Sequence, residues 1–346
     1  MSRRSALLSI FAVSIAVFVT LLILPASRPR VAPEPSRTFE FVYQVHVPSL
    51  QDAPGPLRVW IPLPLNDGYQ DIRGMHIESS VAYSQGRDAE YHDQYALFKP
   101  TSQQTAAGFD VTMRFVATRR EHRVALGSAV HEASAASLNN PMLKRYLEPD
   151  KLVPLNGVIA QLAKERTAGD TTSIEKARHI YDYVVSTMRY DKSGSGWGRG
   201  DAVWACTSKR GNCTDFHSLF IGMMRASGIP ARFEIGFPLP EGKPAGEIAG
   251  YHCWAEFYLE GIGWVPVDAS EAWQNPAKHD YFFGANDFNR VFFTYGRDIT
   301  LSPEQEGAPL NYFIYPYAEA DGRPVPGLQT HFSFKDISPA PQAEAR

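Results

Sequence analysis

The sequence predicts an α+β fold, β-rich over its first half and mixed helix and strand over its second. Three observations carry this expectation. Residues 38–125 break into short alternating runs separated by Pro, Gly, Asn and Asp clusters, the pattern of a β-sandwich. From about residue 130, apolar residues recur at helical spacing instead. Two strand-like segments, 251–259 and 264–268, follow the last long helical run.

Taken in order, residues 7–24 are apolar apart from Ser9, Ser14 and Thr20, and Arg3 and Arg4 precede them. About 18 apolar residues just suffice to span a bilayer. Pro25-Ala26-Ser27 makes a poor cleavage site, so residues 1–24 are expected to be an uncleaved N-terminal anchor. Positive charge before the span places everything after it outside the cytoplasm. Residues 25–37, rich in Pro, Ser and Arg, read as an extended linker. Residues 38–130 form the expected β-rich domain, with FEFVYQVHV, LRVWIP and FDVTMRFVA as its clearest strands. His46, His76 and His92 are scattered there and suggest no chemistry. Residues 131–335 form the second expected domain, and residues 336–346, rich in Pro and Ala, a disordered tail.

Within the second domain, Thr172-Ser-Ile-Glu175 is a capping box. Ala177, Ile180, Tyr181, Val184, Val185 and Met188 then recur at helical spacing, predicting a helix over about 173–189. Residues 140–147 and 155–166 read as helices too. Residues 191–203 (DKSGSGWGRGDAV) follow a helix and lack the lysine of a phosphate loop. They are expected to be a flexible loop near a cleft, with Trp197 and Trp204 available to a substrate-contacting flap.

The net charge of −3, with no run of like charge, gives no reason to expect a nucleic-acid partner. Three cysteines, Cys206, Cys213 and Cys253, make no disulfide framework. Cys206 and Cys253 either pair or stay as small buried residues. No C-x₂-C spacing occurs, and adjacent strand residues such as His252 and Cys253 point to opposite faces, so no metal is expected.

Three residues then read as one chemical unit. Cys213 opens a helical pattern (Phe216, Leu219, Phe220, Met223, Met224) that ends near Gly228. Unpaired amides and the dipole at a helix start stabilise a thiolate. His252 opens the strand YHCWAEFYL and Asp268 closes the next, WVPVD. A thiol nucleophile needs a base, and the base needs an orienting acid. Register decides whether the last two meet. A hairpin loop of three or five residues puts His252 and Asp268 on one face, whereas four residues separate them; the odd loop is expected. His217, one turn after Cys213, is expected on the polar face of its helix, and Asp215 complements the dipole.

Here the sequence resembles the transglutaminase-like superfamily, which shares the papain-like architecture. The resemblance rests on GNCTDFHSLFIGMMRASGIPARFEIGF (211–237), HCWAEFY (252–258) and GWVPVDAS (263–270). It implies a cysteine-bearing helix packed on an antiparallel sheet that carries the histidine and the aspartate. It implies a catalytic triad of Cys213, His252 and Asp268 acting on amide or peptide bonds through a thioester, resolved by water or by an amine. The Cys213 amide, with Trp204 or Asn212, would hold the oxyanion. No acidic loop resembles the calcium sites of animal transglutaminases, and no cofactor is implied. The expected substrate is an extracytoplasmic protein or peptide-like molecule. The β-rich half also looks like that of bacterial secreted or membrane-attached members, which suggests the periplasm. The rival expectation is a catalytically silent binding module at the cell envelope.

Overall fold

Six strands open the described chain: β1 (Ser36–Val47), β2 (Leu57–Pro62), β3 (Gln70–Ser79), β4 (Tyr83–Arg87), β5 (Gln94–Phe98) and β6 (Phe109–Arg120). The computed structural model describes residues 34–51, 53, 55–126, 140–301 and 305–337. The expected anchor, the linker up to residue 33, the tail beyond residue 337 and the expected domain boundary near residue 130 lie outside the described residues. Among the described residues no helix is long and apolar enough to cross a membrane.

Helices follow: α1 (Gly157–Arg166), α2 (Ser173–Thr187), α3 (Ala202–Ser208) and α4 (Cys213–Ala226). Then come β7 (Ala231–Pro238), β8 (His252–Leu259), β9 (Gly263–Val267), α5 (Ala269–Gln274), β10 (Arg290–Tyr295), β11 (Tyr317–Ala320) and β12 (Gln329–Asp336).

The strands form three larger antiparallel sheets. The first runs Ala245–Glu247, β12, β1, β6, β3, and the second runs Arg323–Pro324, β11, β2, β5, β4. Alternation builds them: Phe39, Phe41, Tyr43, Val45 and Val47 are buried, while Gln44 and His46 face solvent. The last strand returns to the first, pairing Phe41 with Phe334 and Tyr43 with Phe332. The third sheet, ordered β9-β8-β7-β10, carries the site. Its Phe237 and Phe293 pack on Phe41 of the first sheet at centroid distances of 5.4 and 5.9 Å.

Local signals start the helices. Thr172 and Glu175 close both halves of the capping box of α2. Asn212 and Asp215 do the same for α4. Residues 213–225 are all buried, so α4 is enclosed on every side rather than half-solvated. That enclosure holds its first residue against β8.

Gly236 of β7 lies opposite His252. A Cβ there would sit 1.9 Å from the Val291 carbonyl oxygen. Gly236→Ala should push β10 away and cost roughly 3 kcal/mol through overpacking. Urea unfolding reads this, and a loss under about 1 kcal/mol would show that β10 yields freely.

Candidate active site

Cys213 is the first residue of α4, 2% exposed. Asp215 shapes the approach to it. Its carboxylate accepts the backbone N–H groups of Asn212 (3.0 Å), Gly198 (2.7 Å) and Gly200 (3.0 Å). The glycine-rich loop is therefore tied to the start of α4, which corrects the expectation of a loose segment. The glycines are needed for that approach. Gly200 has φ +62°, and a Cβ on it would lie 2.5 Å from Ser218 Oγ.

The hairpin has the predicted parity. Ala255 pairs with Val267 and Leu259 with Gly263, leaving three loop residues, 260–262. His252 Nε2 reaches Asp268 Oδ2 at 2.7 Å. Asp268 is fully buried and accepts four side-chain or backbone hydrogen bonds. Oδ2 also accepts Arg290 Nη1 at 3.1 Å, while Oδ1 accepts Ser270 Oγ at 3.1 Å and the Glu271 N–H at 3.0 Å. It also caps α5, so the hairpin end and the helix start share one carboxylate.

Electrostatics follow from this packing. Burial alone pushes the Cys213 thiol up, but the Cys253 S–H and the His252 ring reverse this and hold it well below the ordinary thiol range. Burial pushes His252 down, and the Asp268 charge more than offsets it, leaving the imidazole well above its usual value. Burial raises Asp268, but His252 and Arg290 outweigh it and keep the carboxyl below its usual range. These directions favour charge on the Cys213 sulfur and on the His252 ring, with the Asp268 carboxylate behind the ring.

A cleft of about 610 Å³ opens beside this array, lined among others by Tyr190, Lys192, Tyr251, His252, Glu271 and Arg290. The Tyr251 hydroxyl accepts Asn212 Nδ2 at 3.0 Å and pairs with Thr214 Oγ1 at 2.8 Å, so it bridges the residues flanking Cys213. Asn212 Oδ1 accepts the Thr214 N–H, so this candidate oxyanion donor is engaged at both ends of its side chain.

His217 departs from expectation. It is fully buried rather than on a polar face, because α4 has no solvent face. Its Nε2 accepts the Ala269 N–H at 3.1 Å and lies 3.6 Å from Asp268 Oδ1. Sequence reading also missed Arg290 and the contact role of Cys253. Arg290 had only one signal, a single cation at the head of the apolar run VFF. All three cysteines are free, so Cys206 and Cys253 are not paired. Among the described residues no group of His, Cys, Asp or Glu is placed to hold a metal ion.

A cysteine-bearing helix set against an antiparallel sheet, with the histidine opening one strand and the aspartate just past the end of its neighbour, is the papain-like α+β class. The crystal structure of a candidate cysteine protease from Cytophaga hutchinsonii shares the fold, with a TM-score of 0.62 at 14% identity, covering 88% of this chain and 92% of that one. Residues 160–269 match the family model for the transglutaminase-like superfamily, so the chain carries a transglutaminase-like domain there. An uncharacterized protein of Haemophilus influenzae is 28% identical over 320 residues, 83% of this chain and 86% of that protein. The uncharacterized protein YebA of Bacillus subtilis is 28% identical over 149 residues, 39% of this chain but only 20% of YebA.

Proposed function

We propose that the protein is a thiol enzyme of amide or peptide bonds that works through Cys213, His252 and Asp268. The observation that supports it most is the His252–Asp268 contact of 2.7 Å beside a thiol whose surroundings favour its ionised form. The Cys213 sulfur attacks the carbonyl carbon, and the tetrahedral oxyanion forms. Its collapse breaks the C–N bond, and His252 gives its proton to the departing amine. A thioester and neutral His252 remain. Water or a second amine then attacks, losing its proton to His252, and the thiolate is released. Asp268 keeps its charge throughout, fixing the ring and stabilising the imidazolium. The apolar run behind Arg3 and Arg4 supports an enzyme anchored in or secreted across a membrane, acting on an extracytoplasmic protein or peptide-like substrate.

One observation favours a second reading, a binding module without turnover: Cys213 is almost wholly covered. The two readings part in a screen of ammonia release and amine incorporation on glutamine-containing peptides. The enzyme reading expects Cys213→Ala to lose activity on the order of 10⁴-fold or more. Equal rates for wild type and Cys213→Ala would leave only the binding role.

A further inference from the structure

Two side chains share one oxygen in the site. His252 Nε2 lies 2.7 Å from Asp268 Oδ2, and Arg290 Nη1 donates to the same atom at 3.1 Å. Ser270 and the Glu271 N–H occupy Oδ1, so the ring and the guanidinium do not divide the carboxylate between them. The mechanism leaves Arg290 without a task. Its side chain is only 3% exposed. Its seat is an aromatic face: the guanidinium carbon stands 4.8 Å from the centroid of the Trp254 ring. Nε lies 3.5 Å from Asp287 Oδ1 and makes no hydrogen bond.

Trp254 is itself fixed. It is fully buried, its N–H donates to Glu234 Oε2 at 2.5 Å, and Phe292 packs on it at 6.2 Å. It follows His252 by two residues on β8, so both rings share a face, with centroids 6.1 Å apart. A guanidinium on an aromatic face keeps its charge and the direction of its fork. Trp254 therefore aims Arg290 at the oxygen that His252 uses. A buried carboxylate with one counter-charge would hold the imidazolium tightly, because the surrounding dielectric is low. Yet His252 must release a proton to the departing amine and take one back from the next nucleophile. That exchange runs best when the proton affinity of the ring lies near the working pH.

We propose that Arg290, seated on Trp254, is a positioning residue that shares Asp268 Oδ2 with His252 and so loosens the carboxylate's hold on the imidazolium, leaving the ring able to give up its proton. This rests on the triad reading above. Arg290 keeps its own proton throughout. The other titratable groups around this carboxylate are His217, 3.6 Å from Oδ1, Glu271 and Asp287 on the cleft side, the buried phenols Tyr181 and Tyr190, and the thiols of Cys213 and Cys253.

The test is an NMR titration of the His252 ring in full-chain protein carrying ¹⁵N-labelled histidine, the signal being identified by its loss in His252→Gln. Arg290→Met should raise the ring's midpoint by about one pH unit, a tenfold tighter hold on the proton. Arg290→Gln keeps a donor without the charge and should move the midpoint the same way by less. Arg290→Lys keeps the charge and should stay near wild type. A purely structural cation predicts a lower Tm in all three variants and an unmoved midpoint; that result, or a midpoint that falls in Arg290→Met, overturns the proposal. Should neither neutral variant fold, Asp287→Asn decides from the cleft wall. It leaves the guanidinium to Asp268 alone, so the midpoint should fall by a few tenths of a unit, and no change overturns the proposal. A wild-type ring titrating at or below the ordinary value of about 6.5 would sink the triad reading itself. A raised wild-type midpoint that ignores Arg290→Met sinks only this inference.

Discussion

Asp268→Asn is expected to cut turnover by about 10⁴-fold, the size of the corresponding loss in serine triads. The reason lies in its partners. His252, Arg290, Ser270 and the Glu271 amide all donate to this carboxylate. An asparagine must point its NH₂ group at one pair of donors or the other, so a contact fails in either orientation. The imidazolium then loses its counter-charge, and His252 falls back toward neutrality. The thiolate loses its partner in turn. In wild type the alkylation rate of Cys213 is expected to decline only as pH falls below the ordinary thiol range. In Asp268→Asn the midpoint should climb toward the ordinary thiol range of about 8.5. A variant that keeps the wild-type alkylation profile would remove Asp268 from the triad.

The second large effect concerns stability. Behind the site, Arg232 is held between the rings of Trp264 and Tyr295, at 4.3 and 4.4 Å. Its guanidinium meets Glu256 at 2.5 Å and Glu234 at 3.1 Å, and His122 meets Glu256 at 3.2 Å. Burial and the neighbouring Glu256 push Glu234 well above its usual value. Burial would raise Glu256 too, but Arg232 and His122 hold it below the carboxylate range. Arg232→Ala strands that buried charge and should cost about 3–5 kcal/mol. The sign with pH follows. Glu256, depressed in the folded state, contributes stability above its unfolded value that is lost as pH falls through its folded one. In the variant this contribution is gone, so the gap from wild type should hold from neutrality down to about pH 4 and narrow only below it, toward the depressed folded value. The double variant Arg232→Met/Glu256→Gln should recover more than half of the loss. Chemical denaturation at several pH values measures this, and a cost under about 1 kcal/mol near neutrality would show that the cluster does not act as a unit.

Much of the site could be read from local rules. Hairpin parity is arithmetic, so the meeting of His252 and Asp268 needed only the loop length. The start of α4 was legible because Gly-Asn-Cys precedes an apolar stripe, although nothing local showed that Asp215 would also bind the Gly198 and Gly200 amides. What escaped was set by packing. His217 looks like a surface residue until helices and sheet enclose α4 on every side. Cys253 and Arg290 take their contacts from residues 36 and 22 positions away. Nothing within QTHFSFKD says that it will join β1, since a strand pattern specifies faces but not a partner.

That last pairing sets a clock on biogenesis. With β12 still inside the ribosome, β1 has β6 on one side and a bare row of amides and carbonyls on the other. At translation speeds of about 5–20 residues per second, this ragged flank waits roughly 15–60 s for its closing partner. The nascent chain therefore spends most of its synthesis exposed to adhesion with its neighbours, and shielding by a chaperone matters before the cleft exists at all.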